Sequence, residues 1–98
     1  ETPEETPEDE YVEIIKKLTH ALYIIVNQIR MRKSKYVILN SLDHAIALVD
    51  SMPYSILNKK VILQKLYFIK YAIYINRRSY YLIKIISDII VYLASIVS

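Results

Sequence analysis

Not one of the 98 residues is glycine. That removes the Gly-rich phosphate loop, the Asn-Gly hairpin turn and the glycine that most often closes a helix, since each needs backbone angles a Cβ resists. A chain so restricted reads as helices joined by short polar turns. The apolar spacing agrees. Ile14, Leu18, Leu22, Ile25 and Ile29 recur at steps of three and four, and so do Leu39, Leu42, Ile46 and Val49. Each set is one face of a helix, and no segment alternates convincingly as a strand. The expected fold class is all-α, with four helices over about 9–32, 35–50, 56–75 and 80–98. Ser34, Ser55 and Ser79 stand where N-caps belong, and the loop 50–55 carries Pro53. In the third helix Leu57, Val61, Phe68, Ala72 and Ile75 are inward candidates.

Charge divides the chain. Residues 1–10 hold six acids and no base, while residues 11–98 hold all 13 Lys and Arg against only Glu13, Asp43, Asp50 and Asp88. The body is therefore +9 and the leader −6, which leaves the formal +3. A basic body behind an acidic leader points to a polyanion as partner. Residues 1–9, with the repeated Thr-Pro-Glu, read as an acidic disordered linker. Residues 10–98 read as one basic helical domain. Glu1 in place of a starting Met suggests upstream domains of the same protein. The leader could fold back and compete with nucleic acid for the basic domain.

The last helix, SYYLIKIISDIIVYLASIVS, is apolar nearly all round. Lys84 and Asp88 stand at a spacing that would pair them, and each would be costly at a bilayer centre. A buried helix is the better reading, with no membrane partner. One small chain would struggle to cover so much apolar surface, which argues for a homodimer.

Catalytic equipment is sparse. There is no cysteine, and His20 and His44 have no metal-binding spacing. No serine has an evident base, and paired carboxylates are missing outside the leader. The expectation is a non-enzymatic protein with no cofactor and no metal. The lack of cysteine fits an intracellular, cytoplasmic setting.

What remains is a basic, tyrosine-rich surface. Its cations gather near helix ends: Arg30, Arg32, Lys33 and Lys35; Lys59 and Lys60; Arg77 and Arg78 beside Ser79. Tyr67, Lys70 and Tyr74 lead toward the arginine doublet at helical spacing, and Lys84 follows it. Lys and Arg neutralise phosphates, Tyr donates to them, and a helix start offers free N–H groups. No base-reading motif occurs, so binding to duplex DNA should be largely independent of sequence. All of these except Tyr67, twelve residues from Arg30 to Lys84 that include Ser79 and Tyr74, are the candidate phosphate contacts.

From Lys35 onward the layout resembles the histone fold: a helix, a loop, a longer helix, a short loop with the doublet in RRSYYLI, and a last helix. The preceding helix would match the additional N-terminal helix of centromeric histones. With the acidic proline-bearing leader and the Ile, Lys and Tyr content, this is similar to the histone-like C-terminal domain of crenarchaeal plasmid partition proteins of the ParB kind. The resemblance implies a DNA-binding, nucleoid-associated archaeal dimer acting in plasmid DNA segregation. It also implies a clamp in which Lys59 and Lys60 of one chain meet Arg77 and Arg78 of the other. Histones follow the loop arginine with a nearby Asp, whereas here Asp88 lies ten residues past Arg78. A monomeric four-helix bundle is the alternative fold. A helix-bundle accessory domain of a replication primase, binding template DNA and nucleotide, and a protein-interaction module are the alternative functions.

Overall fold

The computed structural model describes residues 7–52 and 57–97. They form four α-helices and no strand: α1 (Pro7–Arg30), α2 (Lys35–Asp50), α3 (Lys59–Tyr74) and α4 (Tyr80–Val97). The first helix starts two residues earlier than the periodicity suggests. Proline suits a first helical position, where no N–H is needed, and the acids after Pro7 favour a helix start. Ser55 and Pro53 lie outside the described residues, as does the predicted start of the third helix at Ile56.

The turns replace glycine with other chemistry. Ser34 caps α2 as expected, its Oγ accepting from the Val37 N–H at 3.4 Å. After α1 and after α3 one residue turns left-handed: Arg32 at φ 55° and Asn76 at φ 62°. Each is followed by a pair of closing bonds. Lys33 N–H donates to Gln28 C=O and Arg32 N–H to Ile29 C=O; Arg77 N–H donates to Ala72 C=O and Asn76 N–H to Ile73 C=O. This is the Schellman arrangement, built without glycine. Asn tolerates the conformation readily, and a long side chain such as Arg does so at some cost.

The helices alternate in direction, each packed on its neighbours in sequence, with α4 returning against α1 and touching α3 only lightly. The core is aliphatic. Leu18, Leu22 and Ile25 of α1 and Ile38, Leu42 and Val49 of α2 are fully buried. In α3 the inward stripe is Ile62, Leu66, Ile69 and Ile73. The expected stripe was offset: Leu57 and Ala72 are buried, but Val61, Phe68 and Ile75 lie outside. This helix is apolar on two faces, and the all-aliphatic one fills the interior.

Two expectations for α4 change. Leu82, Ile83, Ile86, Ile89, Ile90 and Leu93 are buried within the one chain, so the helix is apolar inward rather than buried all round, while Tyr80, Tyr81 and Val91 stay exposed. Lys84 and Asp88 are both exposed and form no ion pair with each other. Among the described residues α4 is the one helix long and apolar enough to cross a membrane, and a third of it is buried inside the bundle.

Candidate nucleic-acid interface

Alternating helix direction sends the end of α1, the start of α2, the end of α3 and the start of α4 to one pole. The contacts fix this. Lys35 Nζ donates to the Tyr74 C=O at 3.4 Å, joining α2 to α3. A cleft of about 380 Å³ is lined by Ile29, Arg32, Arg78, Ser79, Tyr80 and Ile83, joining α1 to α4. Six of the predicted cations therefore share this pole, Arg30, Arg32, Lys33, Lys35, Arg77 and Arg78, with Ser79 and Tyr74 beside them. Among the described residues no acid neutralises them. No acid occurs between residues 27 and 42 or between 71 and 87. Asp43 lies eight residues beyond Lys35, about 12 Å along the helix, which exceeds the screening length at physiological salt. None of the six forms an ion pair among the described residues.

Tyrosine rings border these cations. Lys35 Nζ sits 5.4 Å from the Tyr74 ring centre and 5.6 Å from that of Tyr36. Arg77, Arg78 and Ser79 also line a second cleft of about 370 Å³, one wall of which is the edge-to-face pair Phe68 and Tyr81, 6.5 Å apart. The starts of α2 and α4 both point their partial positive charge at this pole. At α4, Ser79 accepts through its carbonyl from the Leu82 N–H at 3.1 Å. Its hydroxyl makes no hydrogen bond among the described residues, so the expected side-chain cap is not formed and the group is available.

The other candidates lie elsewhere. Lys59 and Lys60 stand at the opposite pole and behave differently from each other. Lys59 is buried, its Nζ donating to the Asp50 C=O at 2.9 Å and lying 4.0 Å from the Asp50 carboxylate. Lys60 is exposed. Lys70 pairs with Asp43 at 2.7 Å, and that bond raises its pKa above the ordinary lysine value. Lys84 lies exposed on the outer face of α4. Sequence reasoning passed over Phe68, Tyr71, Tyr81 and Lys65 as surface groups, although the spacing of Ile62, Leu66, Ile69 and Ile73 implies where they point.

Both histidines, far apart in sequence, line one open cleft with Glu13 and Lys17 between α1 and α2. No group of three or more potential metal ligands occurs among the described residues. No family model, curated protein or solved structure matches the chain.

Proposed function

We propose that this chain is a non-enzymatic DNA-binding domain that grips the phosphate backbone through one basic pole with little sequence preference. The observation that carries it is the meeting of Arg32, Arg78 and Ser79 around one cleft at the start of α4, inside a six-cation cluster with no acid nearby. Arginine forks suit phosphate oxygens, and a helix start adds N–H donors. Asn and Gln are few and belong to no recognition-helix pattern, which favours backbone contact over base readout. Such a domain would work beside DNA in the cytoplasm, attached to other domains of the same protein; plasmid segregation is one setting that uses it.

The pole favours a monomeric bundle over the histone-like dimer. In the dimer clamp Lys59 must face phosphate, yet its ammonium is turned onto Asp50. The bundle needs no partner to assemble its six cations. Titration of binding against salt for two unrelated duplexes tests the function. Each phosphate neutralised adds about 0.9 to the log–log slope. A steep slope, equal for both duplexes and reduced by about two in Arg32→Gln with Arg78→Gln, is expected. No binding at low salt, or a strong preference between the duplexes, overturns the reading.

A further inference from the structure

The outward face of α3 is unusual for a helix that has nothing packed on it. At steps of four, three, four and three it presents Lys60, Gln64, Tyr67, Tyr71 and Tyr74, all exposed, and it ends on the Arg77–Arg78 doublet. The opposite face, with Ile62, Leu66, Ile69 and Ile73, meets the packing needs of the helix. Folding therefore leaves Tyr67 and Tyr71 without a packing task and Tyr74 only the Lys35 ammonium over its ring, and all three stay between 53% and 63% exposed. A solvated face would ordinarily carry Lys, Glu or Gln instead.

Resting on the DNA-binding reading, we infer that this stripe is a stacking platform for single-stranded nucleic acid. Three features point to that ligand. First, an exposed ring offers a duplex only its hydroxyl, because paired bases are already stacked on each other; to an unpaired base it offers its whole face. Second, the rings rise by about 6 Å and then about 4.5 Å along the helix. Stacked bases in a duplex strand rise about 3.4 Å, so only a strand with separated bases can place one on each ring. Third, cations bracket the aromatic run, Lys60 at its start and Arg77 and Arg78 at its end, with Lys35 beside Tyr74. Phosphates on either side of three stacked bases would meet positive charge.

The test uses the full chain with a short oligothymidylate, an abasic strand of equal length and a duplex of that length. The chain holds 10 Tyr and no Trp, so tyrosine fluorescence reports stacking directly. The expected result is quenching by oligothymidylate and binding at least about five-fold tighter than to the abasic strand or the duplex. Tyr71→Ala should lower oligothymidylate affinity about five-fold or more and leave duplex affinity unchanged, while Tyr71→Phe retains binding. Tyr67→Ala should repeat the pattern, and the unchanged duplex affinity shows that both variants fold. Duplex bound as tightly as oligothymidylate, with neither alanine variant mattering, overturns the platform and leaves the DNA-binding reading intact. No binding of any strand at low salt overturns both. If Tyr71→Ala instead halves the mass of the chain in solution without altering strand binding, the face serves a second copy and the inference fails.

Discussion

The two ends of the bundle both collect cations and use them in opposite ways. At one end Arg30, Arg32, Lys33, Lys35, Arg77 and Arg78 stand with no acid in the neighbouring stretches of chain. At the other, Lys16 lies 3.9 Å from Glu13 and Lys59 is held on Asp50, while Lys17 and Lys60 lie at the surface. Composition does not distinguish these groups. The distinction comes from where acids and carbonyls fall once the helices alternate. A lysine beneath the last turn of a helix serves the fold, because it answers both the negative helix end and an orphan carbonyl. An arginine past the last turn, with no ion pair among the described residues, keeps its charge exposed, and the proposed reading assigns that charge to a phosphate.

The sharpest way to break this comparison is within the doublet Lys59–Lys60. Lys59 Nζ closes the end of α2 from the first residue of α3, and its stem is buried. Lys59→Ala removes a charge-assisted bond and leaves the Asp50 carbonyl without it, a loss of about 2 kcal/mol. For a domain of this size that corresponds to a fall in Tm of roughly 10 °C. Lys60→Ala should move the Tm by less than about 4 °C, as surface changes do. Thermal melts of the two variants decide the matter. Equal melting temperatures would mean that the two lysines are interchangeable and that the far pole is no more structural than the near one.

A second substitution should push stability and binding in opposite directions. Arg32 occupies the left-handed closing position of α1 at φ 55°, where glycine rests without strain, and it also lines the basic cleft. Arg32→Gly should therefore stabilise the fold by up to about 1 kcal/mol. The same change should lower the salt slope of DNA binding by about one. Asn76→Gly is the companion at the other left-handed position: a smaller gain in stability, since Asn already suits it, and no change in slope. A loss of stability in Arg32→Gly would show that its side chain holds the turn, and the pole would then be less purely functional than its charges suggest.

These pairs also mark what could be read before the structure. The four helices and the Ser34 cap were legible because apolar period and cap chemistry are local. The cation cluster was legible only as an alternative, since it depends on whether the helices alternate within one chain or cross between two. Lys59 and Lys60 were read as one pair because adjacent lysines look identical until α2 ends beneath one of them. The α3 stripe was placed on Val61, Phe68 and Ile75 because that helix has two apolar faces, and period alone does not choose between them. The offset stripe left Tyr71 unnoticed, although Tyr67 and Tyr74 were already read as surface rings.

The smallest expected effect concerns the acidic leader. Competition between its carboxylates and DNA would make the basic pole tighter once the leader is removed. The geometry argues against this. α1 runs from Pro7 to Arg30, so its start and the basic pole are separated by about 35 Å. Six fully extended residues reach only about 20 Å, which leaves a gap wider than the screening length of about 8 Å at physiological salt. Deleting residues 1–6 should change DNA affinity by less than about two-fold at that ionic strength. A modest tightening should emerge only near 0.01 M salt, where screening extends to about 30 Å. Affinities of the full and shortened chains, measured at both salts on one duplex, check this. A several-fold tightening at physiological salt would mean that the leader's charge reaches the far pole, and the two ends of the bundle could then no longer be treated as electrostatically separate.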